Sequence, residues 1–159
     1  FSPASIAIAL AMVRAGAAGA TATEMDTVLH VTDPAALAPS MNGLQLALDA
    51  RTHAANSTLG REQVTLSIGN SLWGQVGYRF EQTFLDTLAA NYDAGMQLVD
   101  YKADAEGARQ MINAWVAEQT RDRIAQLLAP DILSPDVRLT LVNTIYLKAP
   151  WGSQFNRDL

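Results

Sequence analysis

The feature that most constrains this chain is a helical segment that is apolar on nearly every side. Ser2 and Pro3 are typical of a helix start. A Ser side chain can accept a hydrogen bond from a free backbone N–H group, and Pro costs no hydrogen bond at the first helical position because an N–H there has no partner within the helix. The residues that follow, 4–15, are apolar apart from Ser5 and Arg14. A helix with this pattern is normally buried on all sides. The sequence therefore predicts that other elements surround it.

The rest of the chain alternates between helix-like and strand-like patterns. Thr21 and Glu24 fit a capping box at the start of a second helix. Strict alternation of apolar and polar residues predicts strands, and apolar spacing of three to four predicts helices. In chain order the predicted elements are helices from residues 2, 21 and 33, a loop at 54–63, a strand at 64–73, a helix at 84–92, a strand at 96–101, a helix from 104 and a strand at 137–148.

This order favours an α+β fold in which helices pack around a large mixed or antiparallel sheet. A doubly wound parallel sheet is the alternative, because helices and strands alternate after residue 64. Two of the strands are long and amphipathic, however, whereas buried parallel strands are usually apolar throughout. We find no repeat or linker, so residues 1–159 are interpreted as part of a single domain.

Composition disfavours several classes of partner. The chain has 11 Lys and Arg against 16 Asp and Glu, which gives a net charge of −5. This charge disfavours binding to nucleic acid, because that binding needs clustered cations that neutralise phosphates. Arg51 and His53 are the only candidate cations of the third helix, so heparin binding is not expected. No apolar run approaches the roughly 20 residues that cross a bilayer. With no Cys there is no disulfide and no Cys-ligated metal.

Candidate catalytic residues do not combine into a known motif. The two His residues have no metal-ligand spacing, and the Ser residues lack the context of a nucleophile. Two Asp residues have simpler roles at a strand end and as a helix N-cap. These residues are His30, His53, Ser134, Ser153, Asp100 and Asp104. We therefore expect neither an enzyme nor a cofactor.

Asparagines interrupt two otherwise apolar strand faces. Asn143 shares its face with four residues, Leu139, Leu141, Ile145 and Leu147. Asn70 occupies the same kind of position in the strand at 64–73. A buried amide requires hydrogen-bond partners, and Ser2 and Ser5 at the start of the first helix could supply them. The simpler interpretation is that Ser2 only caps its helix and that both amides satisfy loop backbone.

Five strings in the same order resemble the serpin family of serine protease inhibitors. They are residues 1–6 (FSPASI), 16–25 (GAAGATATEM), 70–73 (NSLW), 112–116 (INAWV) with Thr120, and 141–148 (LVNTIYLK) with Trp151 and Phe155. In the family these strings lie between helix B and strand 3 of sheet A. One departure is Ala149-Pro150, where the family usually has Gly before the Trp. The resemblance covers the whole chain but less than half of a serpin.

The resemblance implies roles for particular residues. Ser2, Ser5, Asn143 and Asn70 would form the shutter, where sheet A opens, with Asn143 bonded to the start of the first helix. Lys148 and Trp151 would form the breach, where the reactive loop enters. Asn113, Trp115 and Thr120 belong to the helix that lies across the sheet and must move, and core packing is expected to be the main role of Trp115.

The resemblance also implies a function. Serpins inhibit serine proteases, and in some cases cysteine proteases, through a loop that is cleaved and then inserts into sheet A. That loop would lie beyond residue 159, and an extracellular location is expected from the family. A non-inhibitory serpin acting as a binding or chaperone-like module is the alternative.

Overall fold

The computed structural model describes residues 2–59 and 64–151, in which the elements follow the predicted order. They are α1 (Pro3–Gly16), α2 (Gly19–Val28), α3 (Pro34–Leu59), β1 (Thr65–Gln75), α4 (Gln82–Tyr92), β2 (Met96–Val99), α5 (Tyr101–Gln119) and β3 (Leu139–Lys148). Phe1, Ser153, Phe155 and residues 60–63 of the predicted loop lie outside the described residues.

The start of α2 differs from the prediction. The helix begins at Gly19 with Ala18 as N-cap, and no side chain caps it, so the predicted capping box at Thr21 and Glu24 is wrong. Because Thr21 already lies inside the first turn, its backbone is helical and cannot act as a cap. Thr23 instead donates a side-chain hydrogen bond to the carbonyl of Gly19, at 3.3 Å.

The end of α3 also differs, because the helix continues through part of the predicted 54–63 loop to Leu59. Asn56, which was assigned to that loop, lies inside the helix. Its side chain donates to the Val64 carbonyl at 2.7 Å and accepts from the Val64 N–H at 2.8 Å. The polar composition of residues 54–63 predicted a loop, but residues 54–59 are helical. The Asn56 side chain joins this helix to the start of β1 through its two hydrogen bonds.

The start of α5 combines two caps. Asp100 is the N-cap and accepts hydrogen bonds from Lys102 and Ala103, so the helix begins before the predicted start at Asp104. Asp104 itself has non-helical angles, φ −149° and ψ 71°, and accepts from the Gly107 N–H at 2.7 Å. Asp104 therefore caps the longer part of α5. The helix start predicted at residue 104 corresponds to this second cap.

The strands form a mixed sheet in the order β2-β1-β3. β1 pairs with β2 in parallel and with β3 in antiparallel orientation, the latter from Thr65 opposite Lys148 to Gly74 opposite Leu139. Helices cover both faces of this sheet, as the contacts of α1, α3 and α5 with its strands show. The predicted α+β class with a mixed sheet is confirmed.

Two apolar clusters hold the helices on the two faces. On one face α1 contributes Ile8 and Met12, which pack with Leu72 of β1 and with α4. On the other face α5 contributes Ile112 and Val116, which pack with Trp73 and the rest of its cluster. The sheet is therefore the middle layer of a three-layer arrangement.

The predicted burial of α1 on every side is not observed in the described part of the chain. Ile8, Ala11 and Met12 are buried, but Ile6 and Val13 are 50% and 43% exposed. A helix is covered only where another element packs on it, and the described elements cover one side of α1.

The predicted buried face of β3 is only partly buried. Leu141 packs against the α1 cluster, but Leu147 on the same face is 66% exposed. The residues that are buried in β3 are Val142 and Thr144, which lie on the opposite face beneath α5. The pattern marked the apolar face correctly, but α1 covers only part of that face of β3, so Leu141 is packed while Leu147 stays exposed.

No helix within residues 2–59 and 64–151 is both long enough and apolar enough to cross a membrane.

Candidate functional site

Asn70 and Asn143 lie directly opposite each other in the β1–β3 pair. The Asn143 side-chain amide donates to Asn70 Oδ1 at 2.7 Å. Asn70 is only 9% exposed, and its Nδ2 has no hydrogen-bond partner. The two amides thus form a polar pair across neighbouring strands, with one donor unsatisfied, on the face that α1 covers.

The start of α1 lies next to this pair. Ser2, Ser5 and Asn143 line one open pocket of about 350 Å³. These three residues, which were predicted to share one polar cluster, lie near one another in the structure. Ser2 and Asn143 are nevertheless 141 positions apart in the chain. We call Ser2, Ser5, Asn70 and Asn143 the amide–serine cluster.

The hydrogen bonds of this cluster differ from the prediction. Ser2 accepts from the Ser5 N–H at 3.3 Å and so serves as the N-cap of α1. Ser5 Oγ is buried without a partner. Asn143 bonds to Asn70. The predicted bond from Asn143 to the start of α1 is not observed among the described residues. The reason is geometric, because the strand register places the Asn70 amide within reach of Asn143.

The N-terminal end of α5 is hydrogen-bonded to the sheet. The Tyr101 hydroxyl donates to the Trp73 carbonyl at 3.0 Å and lies 2.9 Å from the Thr140 hydroxyl oxygen. Gln75 of β1 donates to Asp100 at 2.9 Å. This hydrogen bond, together with those from backbone N–H groups, holds the pKa of Asp100 below its ordinary value. Burial raises the pKa of the Tyr101 hydroxyl.

Trp115 and Gln119, at the other end of α5, approach the sheet at Gly69. A methyl group placed on Gly69 would lie 3.2 Å from the Trp115 ring and from Gln119 Oε1, and 2.6 Å from Thr144 Oγ1. Only glycine leaves room for this close approach. Trp115 packs at the edge of the α5 cluster, and its main role stays a prediction.

Asn113 binds the segment that returns from α5 to β3. Its Oδ1 accepts from the Leu127 and Leu128 N–H groups at 3.0 and 2.8 Å, and its Nδ2 donates to the Leu128 carbonyl at 2.9 Å. Arg109, one turn earlier, donates to the same carbonyl at 2.8 Å. Sequence reasoning singled out Asn113 but missed Arg109, whose spacing of four on the same helix was the available signal.

Two further contacts shape this region. Arg109 also pairs with Glu106 at 2.6 Å, and its hydrogen bond lowers the pKa of Glu106 to about 2. Thr120 is 1% exposed, donates to the Val116 carbonyl at 2.7 Å and accepts from the Ile124 N–H at 3.1 Å. Thr120 therefore closes α5 and starts the return segment.

Lys148 and Trp151 lie where β3 ends. Lys148 is exposed and pairs with Thr65 in the strand register, and Trp151 is 74% exposed. Their role as a breach stays a prediction.

The residues considered for catalysis have structural roles where contacts are described. Asp100 is the N-cap of α5, and Ser134 Oγ accepts from the Asp136 N–H at 3.3 Å. Within the part of the chain that the structure describes, no group of three or more His, Cys, Asp or Glu could hold a metal ion.

Comparisons of the sequence and of the fold with known proteins match this chain to one family. The family model described as serpin (serine protease inhibitor) matches residues 1–159. Serpin B6 of Macaca fascicularis is 37% identical over 158 residues, and the leukocyte elastase inhibitor of Xenopus tropicalis is 34% identical over 164 residues. Each match covers 99% of this chain but 40% of the relative, so the chain spans about two fifths of the relatives' length.

A solved structure shows the same fold. The Arabidopsis serpin AtSerpin1, in its native stressed conformation, superposes with a TM-score of 0.84 and 26% identity. The match covers 100% of this chain and 39% of that protein. The order of the elements, the mixed sheet and these matches agree, and the chain belongs to the serpin family.

Proposed function

We propose that the complete protein inhibits serine proteases through a loop that is cleaved and then inserts as a strand beside β3. The observation that carries the proposal is the edge of β3. Within residues 2–59 and 64–151, β3 pairs with β1 on one side and has no strand on its other side. An edge strand offers a row of backbone N–H and C=O groups to which a further strand can pair.

The energetic reason for insertion is the same edge. The residues of a strand added beside β3 would form hydrogen bonds with backbone N–H and C=O groups of β3 that otherwise bond to water. The amide–serine cluster lies against the same strand, with Ser5 Oγ and Asn70 Nδ2 unsatisfied. We propose that this cluster is the shutter, and that rearranging its hydrogen bonds sets part of the barrier to insertion.

The relatives support the protease class. One of them is named as an inhibitor of leukocyte elastase, so elastase is the first protease to test. Cysteine proteases are the second class to test. The location outside the cell rests on family resemblance alone and stays a prediction.

The test is to mix the complete protein with elastase and to separate the products on a denaturing gel. We expect a band that contains both proteins and resists SDS, with loss of elastase activity in the same tube. Elastase whose catalytic serine has been blocked beforehand is the control and should form no such band. Trypsin, chymotrypsin and papain extend the test to other specificities and to a cysteine protease.

Cleavage of the protein without a stable complex, while all four proteases stay active, would contradict the proposal. That outcome would favour a non-inhibitory serpin that acts as a binding or chaperone-like module.

Heparin should not accelerate the inhibition. In α3 the candidate cations are Arg51 and His53, and the whole sequence has a net charge of −5, so a polyanion finds little to bind. The measurement is the inhibition rate at low salt with and without heparin. An acceleration of tenfold or more, on the order of 1.4 kcal/mol, would contradict this expectation.

A further inference from the structure

β2 is much shorter than β1, and this leaves part of the edge of β1 without a strand. β2 pairs with β1 only from Leu72 to Gln75, so residues 65–71 have no strand on that side within the described chain. A pocket of about 440 Å³ lies there and touches residues 68–70 of β1. Its other walls come from α3, the end of α4 and α5. We call it the β1-edge pocket, and its volume is within the range of small-molecule sites.

Polar side chains line this pocket without using their polar groups on the protein. They come from α3, from the residue after α4 and from α5, and are Asn42, Gln45, Asp49, Asp93 and Gln119. No hydrogen bond or ion pair of these five side chains is present in the part of the chain that the structure describes. Three amides and two carboxylates are therefore free to bind a ligand in one place.

Two buried groups of the lining residues also lack partners. Asn70 is 9% exposed and Tyr92 is 1% exposed. Both residues line the pocket, and neither Asn70 Nδ2 nor the Tyr92 hydroxyl has a hydrogen-bond partner among the described residues. Unpaired buried polar groups are rare in native proteins, and each one calls for an explanation. They indicate a binding site independently of the five free side chains.

The charge of the pocket favours one kind of ligand. Asp49 and Asp93 are exposed carboxylates, and no Lys, Arg or His is among the described residues that line the pocket. Trp115 lines it as well, and an aromatic ring attracts a cation that lies over its face. Because carboxylates attract cations and repel anions, the pocket favours a ligand with a positive charge.

The amides add a second requirement. Each Asn or Gln side chain both donates and accepts hydrogen bonds, whereas an ammonium group only donates. The free amide donors of Asn42 and Gln45, and the unpaired Nδ2 of Asn70, therefore need an acceptor that a protonated amine does not have. Hydroxyl groups both donate and accept, so hydroxyl groups next to the amine meet this requirement.

We propose that the β1-edge pocket binds a small hydroxylated amine, the chemical class that includes amino sugars. The carboxylates of Asp49 and Asp93 attract the protonated amine, and the amide side chains form hydrogen bonds with the hydroxyl groups. This binding needs neither a cleaved loop nor a protease, so it is tested separately from the proposed function.

The first test is calorimetric titration of the complete protein with glucosamine and with glucose, at pH 6 and low salt. The two sugars differ in one group, because glucose has a hydroxyl where glucosamine has a protonated amine. An exposed ion pair changes an affinity by roughly two- to fivefold, so two carboxylates predict that glucosamine binds about four- to twenty-fivefold more tightly than glucose. Added NaCl should reduce this difference. Equal affinities for the two sugars, or no binding of glucosamine, would overturn the proposal.

The second test removes the carboxylates one at a time. Asp49→Asn and Asp93→Asn should each weaken glucosamine binding by roughly two- to fivefold and leave glucose binding unchanged. Asp93 has a left-handed conformation, with φ of 49°, which Asn adopts as readily as Asp, so this variant keeps the backbone. Asp86→Asn is the matched control, because Asp86 is exposed on α4 and does not line the pocket. The proposal fails if neither pocket variant weakens glucosamine binding more than Asp86→Asn does.

The third test addresses the hydroxyl groups. Gln45→Met replaces an amide by an apolar group of similar length, and the lost hydrogen bond should weaken glucosamine and glucose alike, by about two- to tenfold. Gln110→Met is its control, since Gln110 is exposed on α5 and lies outside the pocket. If Gln45→Met binds both sugars as well as Gln110→Met does, the amides do not bind the hydroxyl groups and the proposed ligand class is wrong.

Discussion

β1 and β3 have the same sequence pattern and different environments. Each alternates apolar and polar residues around a central asparagine. In β1 every residue from Asn70 to Gln75 is buried, on both faces. In β3 only Val142 and Thr144 are buried, and Leu147 is 66% exposed. An alternating pattern therefore marks a strand but does not say how deeply the strand lies.

The difference comes from position in the sheet. β1 lies between β2 and β3 and has α1 and α5 on its two faces, so each of its side chains meets another element. β3 is the edge strand of the described sheet. Within the described residues β1 is thus the covered central strand and β3 the less covered edge strand, in a chain that spans about two fifths of its relatives' length. Three predictions test this comparison, the first in the polypeptide of residues 1–159, to which these exposures apply, and the other two in the complete protein.

The largest difference is expected between two leucine truncations. Leu72 of β1 is 1% exposed, so Leu72→Ala should lower the free energy of unfolding by about 2–5 kcal/mol. Leu147→Ala in β3 removes an exposed side chain and should change it by no more than about 0.5 kcal/mol. Urea unfolding followed by circular dichroism measures both. Equal losses for the two variants would mean that β3 is as deeply packed as β1.

A smaller effect is expected where the two strands meet at Asn143. Asn143→Ala leaves Asn70 Oδ1 without its donor, and a buried polar group without a partner costs about 1–3 kcal/mol. We therefore expect faster loss of monomer and of inhibitory activity below the melting temperature, measured by native gel and protease titration.

The matched control replaces both amides. In Asn70→Leu/Asn143→Leu neither amide is left unpaired, so much of the lost stability should return. An Asn143→Ala protein that loses monomer no faster than the parent would show that the amide pair does not hold the strands together.

The last effect appears only at alkaline pH and is expected from Tyr92, which packs in the same cluster as Leu72. Its hydroxyl is buried without a partner, and burial raises its pKa to about 12. The folded protein therefore keeps this proton between pH 10 and 12 while the unfolded chain loses it. The free energy of unfolding should fall across that range, by up to about 1.4 kcal/mol per pH unit.

Tyr92→Phe removes this titration and is expected to be close to neutral at pH 7, since it deletes an unpaired hydroxyl. Unfolding curves at pH 8, 10 and 11 check the slope for parent and variant. If the slope is as steep in Tyr92→Phe as in the parent, other groups cause the alkaline loss of stability.

Local features of this protein were readable from sequence because they depend on neighbouring residues. Ser2 is the cap of α1, and the order of helices and strands follows from the spacing of apolar residues. The placing of Asn143 in an apolar strand next to Ser2 and Ser5 was also anticipated, because a buried amide needs hydrogen-bond partners and the family resemblance pointed to the same residues.

The remaining features depend on contacts between distant residues, which no local pattern encodes. Asn143 takes Asn70, 73 positions away, as its partner because the β1–β3 register sets the two amides opposite each other. The buried face of β3 is the one beneath α5, and α5 is attached through the packing of Ile112 and Val116 and through the Tyr101 hydroxyl near Thr140. Sequence determined which elements form, whereas the tertiary structure decided which side chains they bury and pair, since burial and pairing exist only after the elements have packed.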